Sequence, residues 1–270
     1  MFLEEIKTLL EQKISPKLFK LNSEIYGIHY GQDNNDKLIK KVMLTLDLSL
    51  EAIHFAVKNK VNLIISQRGL VDKPVKHFNN GFVHKLTLLT KFPISIFVLS
   101  TPFIAAEGGI SDTIRESLFL KLEKTLNIKG QKSNKIPLGR ICYPEEYPNQ
   151  QKSISLEDLI IRIKSNLNIS NLLYIGNLHK TINKICIVGT PELNLKCFKK
   201  AIRCGCDCYI SGGFKHNKFI YARETGMSLI SIPYFKYEIK VFRKLCNILS
   251  LEFPRDEIFM YESKDPFLIY

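Results

Sequence analysis

Val42-Met43-Leu44-Thr45-Leu46, the amphipathic stretch Ser49 to Lys58, and Val61-Asn62-Leu63-Ile64-Ile65-Ser66 together decide the fold. Two apolar runs, each too short for a helix, enclose a segment whose apolar residues recur every three or four positions. That is the pattern of two strands covered on both faces and joined by a crossover helix. The alternation continues in Ile94-Ser95-Ile96-Phe97-Val98-Leu99, Ile185-Cys186-Ile187-Val188, Cys208-Tyr209-Ile210 and Leu229-Ile230-Ser231-Ile232. Helical spacing fills residues 79–90, 155–166, 191–203, 215–225 and 236–249, and Ser155 followed by Asp158 supplies a cap. The fold class is α/β.

The opening stretch has an echo. Val42 to Ser66 can be laid over Ile187 to Ser211 at an offset of about 145 residues. Ala56 then meets Ala201, Lys58 meets Arg203, Asn62 meets Asp207, and Ser66 meets Ser211. An internal duplication is expected, with two intertwined lobes of mixed sheet at 1–135 and 136–270. They should part near 129–153, where Lys129 to Lys135 and Pro144 to Ser153 are the most polar and least periodic segments. Ligands of open α/β sheets sit beyond the carboxyl ends of the strands, so the residues after Ser66 and Ser211 are where chemistry is sought.

Composition bounds the function. A chain of 270 residues with 45% hydrophobic and 24% charged residues has a core of its own and is neither fibrous nor disordered. Lysine and arginine number 39 against 26 acids, a net charge of +13 that favours nucleic acid, phosphorylated ligands or an acidic protein surface. Lysine-rich surface composition explains the same excess without any partner. Seven cysteines with no scaffold rhythm fit a reducing compartment. From the acidic start Met1-Phe2-Leu3-Glu4-Glu5-Ile6-Lys7 no secretory leader is expected, and no run of eighteen or so apolar residues is present. A cytoplasmic protein is expected.

Several stretches resemble one family. These are Gly27-Ile28-His29-Tyr30-Gly31, Leu44-Thr45-Leu46-Asp47, Leu63-Ile64-Ile65-Ser66-Gln67-Arg68-Gly69-Leu70 with Lys73-Pro74, and Ser100-Thr101-Pro102-Phe103-Ile104-Ala105-Ala106-Glu107-Gly108-Gly109-Ile110-Ser111-Asp112. Tyr209-Ile210-Ser211-Gly212-Gly213-Phe214-Lys215-His216-Asn217 and Tyr234 with Glu238 come later in the same order. The chain is thereby similar to the Nif-three-like proteins, many of them labelled GTP cyclohydrolase I type 2 homologues. The resemblance implies two metal ions held by adjacent histidines, an aspartate ending a His-Thr-Asn-Leu-Asp stretch, a histidine after a turn, and a His and Glu four apart. It also implies a homo-oligomer, a dimer or a hexameric ring. At the matching positions stand Gln67, Arg68, Ile104, Asn217, Tyr234 and Glu238, of which Glu238 alone keeps the family residue.

Those substitutions have consequences that elementary electrostatics can size. Ile104 has no lone pair, and a guanidinium about 5 Å from a divalent ion is repelled by roughly 6 kcal/mol at an effective dielectric near 20. No resident metal is therefore expected. Either Arg68 takes the electrostatic place of the lost cation, pairing with Glu238 or with an anionic ligand group, or Gln67 and Arg68 are solvated loop residues. Ser100, Glu107, Asp112 and His216 complete the candidate residues, His216 lying one position before Asn217. Cys204, Cys206 and Cys208 alternate into a strand without the two-residue gap of a zinc knuckle and read as buried thiols. His54 and His84 fall in helical segments away from strand ends and read as structural or surface imidazoles.

The leading expectation is a divergent family member acting as a binding or scaffolding protein, with a protein partner allowed. The alternative is a metal-dependent hydrolase of the cyclohydrolase kind, using Zn, Mn, Fe or Mg at a reduced site of Glu238, His216 and Glu107 or Asp112. A second alternative is a ring that binds nucleic acid through its basic surface.

Overall fold

A computed structural model of the chain describes all residues except 23, 32, 72–74, 76, 131–133, 146–152, 214–215, 266 and 268–270. Lys73-Pro74 and Phe214-Lys215, used in the resemblance, lie outside the described residues. In chain order the first elements are α1 (Leu3–Leu9), β1 (Gly27–Tyr30), β2 (Lys41–Thr45), α2 (Leu50–Lys58), β3 (Leu63–Ser66), α3 (Asn80–Leu89) and β4 (Ser95–Val98). Next come α4 (Ser100–Ala105), α5 (Ile110–Ser117), β5 (Leu120–Lys129), β6 (Lys135–Pro144), β7 (Ile154–Ser155), α6 (Leu156–Leu167), β8 (Leu173–Ile175) and β9 (Thr181–Ile182). The chain ends with β10 (Ile185–Val188), α7 (Leu195–Arg203), β11 (Cys208–Ser211), α8 (His216–Glu224), β12 (Ser228–Ser231), α9 (Tyr234–Glu252) and β13 (Glu257–Met260).

The chain forms two compact units: Met1–Pro102 with Ile239–Tyr270, and Phe103–Glu238. This corrects the expected division near 129–153, which falls inside the second unit. The cause is pairing. β5 ends at Lys129 and β6 begins at Lys135, and these ten-residue strands pair antiparallel with Lys129 beside Lys135, so a polar stretch that reads as a boundary separates two paired strands of one sheet.

The first unit holds a five-stranded sheet in the order β1-β4-β3-β2-β13, parallel throughout except for β1. Its interior strands are buried on both sides, as the unbroken apolar runs require. Met43, Ile64, Ile96 and Val98 face one cluster with Ile53 and Ala56 of α2 and Leu89 of α3. Alternation sends Val42, Leu44, Leu63, Ile65 and Phe97 to the opposite face, where all are fully buried. Side-chain caps start the crossover helices: Ser49 Oγ accepts from the Ala52 amide at 3.1 Å and Asn79 Oδ1 from Phe82 at 2.8 Å.

The second unit holds a six-stranded sheet, order β5-β6-β10-β11-β12-β8, and a small β7-β9 pair. β10, β11 and β12 are parallel and the other pairings antiparallel, so both main sheets are mixed. The expected repeat is visible as β2-α2-β3 in one unit and β10-α7-β11 in the other. A shared detail reinforces it. Thr45, the last residue of β2, and Thr190, two residues past β10, each bond two residues ahead, Thr45 Oγ1 to the Asp47 carbonyl at 3.1 Å and Thr190 Oγ1 to the Glu192 carbonyl at 2.7 Å. Among the described residues, no helix is long and apolar enough to cross a membrane.

Candidate functional site

The carboxyl ends of β2, β3 and β4 lie side by side because the three strands are parallel neighbours in register, Thr45 beside Ser66 and Ser66 beside Val98. The residues that leave these strands are therefore gathered at one edge of the sheet: Asp47 after β2, Gln67 and Arg68 after β3, Ser100 after β4. Backbone bonds lock the turns, with Arg68 N donating to the Leu46 carbonyl at 3.3 Å and Ser100 N to the Gln67 carbonyl at 3.1 Å. Ser66 Oγ donates to the Arg68 carbonyl at 2.9 Å and stiffens the same corner.

Gln67 is only 4% exposed, which corrects the reading of it as a solvated loop residue. Its Nε2 donates to the Ser100 carbonyl at 3.0 Å, while its Oε1 is buried with no hydrogen-bond partner among the described residues. Ser100 is held in the left-handed region with φ +52, a conformation that a non-glycine residue adopts at a cost of about 1 kcal/mol or more. Its Oγ donates to Glu24 Oε2 at 3.1 Å, and Glu24 Oε1 accepts from the Leu21 amide at 2.6 Å. Glu24 gave no signal in the sequence, because a lone carboxylate before a strand carries no spacing to distinguish it from a surface acid.

Arg68 is gripped from two sides by Asp47, Nε to Oδ1 at 2.5 Å and Nη2 to Oδ2 at 3.3 Å. Sequence alone did not single out this partner, although Asp47 stands in one of the stretches that carry the resemblance. Both side chains keep substantial solvent contact, so screening holds the pair to about 1 kcal/mol or less. Its main effect is to fix the direction of the guanidinium.

The candidate residues of the second unit sit in different surroundings. Ile104 is 4% exposed and apolar, and Glu238 is fully buried at the start of α9. Tyr234 is half-buried, whereas Glu107, His216 and Asn217 are exposed. Asp112 is claimed by Arg140: Nε reaches Oδ1 at 2.7 Å and Nη2 reaches Oδ2 at 2.8 Å. The same guanidinium, 2% exposed, donates to the carbonyls of Pro137, Gly139, Ala105 and Ala106. Burial alone pushes the Asp112 carboxyl up; the Arg140 bonds, the Gly108 amide and Arg115 outweigh it and hold the group below the usual carboxylate range.

The Gly108-Gly109 block thus has an architectural reason. Gly108 takes φ +68, and a Cβ on Gly109 would lie 2.1 Å from the Phe103 carbonyl oxygen. These glycines let α5 begin where Asp112 meets Arg140, and the motif holds the turn together.

Among the described residues, no group of three or more His, Cys, Asp or Glu side chains is placed to hold a metal ion. Cys206 and Cys208 are buried free thiols as expected, with Cys204 partly exposed. Burial pushes the Cys206 thiol up to about 12. His54 and His84 are exposed on α2 and α3, away from the strand ends.

A family model described as Duf34/NIF3 (NGG1p interacting factor 3) matches residues 1–266. A Clostridium perfringens protein named GTP cyclohydrolase 1 type 2 homolog is 26% identical over 99% of both chains. A Methanocaldococcus jannaschii protein of the same name is 24% identical over 88% of this chain and 91% of its own. Among solved structures, a Bacillus cereus protein related to NIF3 superposes with TM-score 0.82 at 15% identity, covering 100% of this chain and 99% of its own. Reduced HcgD from Methanocaldococcus jannaschii gives 0.80 at 23% identity, covering 97% and 98%. Likeness at these identities establishes the fold and carries no activity with it.

Proposed function

The chain belongs to the Duf34/NIF3 family, and from that premise we propose that it is a non-catalytic binding or scaffolding member in which the di-metal site implied by the resemblance has been lost. One observation carries the reading: the chemistry at Gln67, Arg68 and Ile104. Ile104 is buried and offers no donor atom. Gln67 spends its amide nitrogen on the Ser100 carbonyl, leaving a neutral oxygen where an imidazole would supply a far better ligand. Arg68, held in place by Asp47, brings a permanent positive charge. The residues present do not fit a pair of divalent ions.

The orphaned Gln67 Oε1 supports the binding half of the reading. A buried acceptor without a donor costs about 1–3 kcal/mol, which a ligand N–H or O–H, or a water, recovers. Self-assembly into a dimer or larger ring belongs to the scaffolding half and is measured as mass by light scattering. The hydrolase reading draws on Glu238, His216 and either Glu107 or Asp112. Asp112 is committed to Arg140, and Glu107 and His216 are exposed.

Elemental analysis of protein purified without chelator tests the proposal. The expected result is less than one divalent ion per chain after dialysis. Two tightly held ions per chain, or GTP turnover abolished by chelator and by Glu238→Gln, would overturn it.

A further inference from the structure

The first unit has a second feature that the strand-end site does not use. A cavity of about 700 Å³ opens between α2 and α3, in the range of small-molecule sites. Its wall includes Phe55, Leu88 and Tyr261. Phe55 is 37% exposed and packs against Tyr261 with ring centroids 5.1 Å apart, so aromatic surface faces the opening.

Charge gives the cavity a direction. Because β2, β3 and β4 are parallel neighbours, the two crossover helices between them run the same way, and their carboxyl ends lie at the same end of the sheet. Lys58 lies in the last turn of α2 and Lys91 two residues beyond α3, and both line the cavity. Each also faces the end of its own helix, where a cation is favoured, but an ammonium has three donors and retains capacity for a ligand. Among the described residues, neither lysine has a carboxylate within ion-pair distance. Glu51, the lining carboxylate, stands in the first turn of α2, about 10 Å from Lys58 along the helix axis. His54 and His84, read from sequence as surface imidazoles, line the middle.

We propose that this cavity is a binding site for a small planar aromatic molecule carrying one anionic group, its rings against Phe55 and Tyr261 and its anion between Lys58 and Lys91. The volume accommodates a fused ring system and not a folded partner. The lysines stand at the opposite end of the sheet from Gln67 and Ser100, so the site is separate from the strand-end residues and independent of the metal question.

The test is a fluorescence titration of the full chain at neutral pH with two probes of one ring system, anionic 8-anilinonaphthalene-1-sulfonate and uncharged N-phenyl-1-naphthylamine. The expected result is saturable binding at one site per chain, with the sulfonate preferred about tenfold, as one charge-assisted bond provides. The preference should shrink with added salt and vanish in the Lys58→Ala/Lys91→Ala double variant. Phe55→Ala should weaken both probes about tenfold, while Lys199→Ala, an exposed charge on α7, leaves both unchanged. The substituted side chains are at the surface, and an unfolding midpoint confirms that each variant is folded; Lys91→Ala alone, outside the helix, serves if the double variant is not. Failure of the sulfonate to saturate, equal affinity for the two probes, or unaltered affinity in the lysine variants would overturn the proposal.

Discussion

Removing the carboxylate of Asp112 should expose how much the second unit owes to one buried charge pair. Asp112→Asn keeps the shape and leaves Arg140, 2% exposed, with its charge, its neutral carbonyl acceptors and, among the described residues, no counter-charge in direct contact. Breaking a buried pair by removing one partner costs about 3–5 kcal/mol. Four carbonyl acceptors still hold the guanidinium, which places Asp112→Asn near the lower end, about 3 kcal/mol. Arg140→Met removes the donor to all six acceptors and leaves the buried Asp112 carboxylate to the Gly108 amide and Arg115, so about 3–5 kcal/mol is expected. The double variant should cost at least about 2 kcal/mol less than the two singles added together, because the second change removes the group that the first left unpaired.

The pH dependence follows from the direction of the shift. A carboxyl held below its ordinary range when folded contributes stability that is complete above its unfolded value, near pH 4, and is lost as pH falls through the folded value. The stability gap between the native protein and Asp112→Asn should therefore be constant from about pH 7 to pH 5 and narrow in more acid solution. Urea unfolding followed by circular dichroism across that range measures it. A gap that ignores pH, or an Arg140→Met cost below about 1 kcal/mol, would refute the assignment of Arg140 as the staple of this unit.

Three further outcomes are expected. Ser100→Gly should change stability by less than about 1 kcal/mol, since relief of the φ +52 conformation offsets the lost bond to Glu24, whereas Ser100→Val should cost more than about 2 kcal/mol; parallel denaturation curves decide it. Ile64→Ala should cost about 2–5 kcal/mol, since Ile64 is fully buried between the central strand and α2, and a loss under about 1 kcal/mol would contradict that packing. In the native protein, Cys204 and Cys246 should react with a disulfide reagent first, while Cys142, Cys186, Cys197, Cys206 and Cys208 stay protected until unfolding. Fast labelling of all seven would contradict the burial of the five.

The alternation of apolar runs with amphipathic segments specified the α/β class, the crossover helices and the repeat, because strand and helix periods are local properties of a chain. The order of strands was not legible in the same way. β13 joins the first sheet beside β2, and β5 pairs with β6 across a polar stretch that resembles a linker in sequence, since pairing is not written in local pattern. The candidate site divides similarly. Gln67, Arg68 and Ser100 were legible as residues just past strands. That Gln67 is buried against the Ser100 carbonyl, that Asp47 grips Arg68, and that Asp112 belongs to Arg140 were decided only in three dimensions. Residue type states which bonds a side chain is able to make; burial and the approach of remote backbone select the ones it makes.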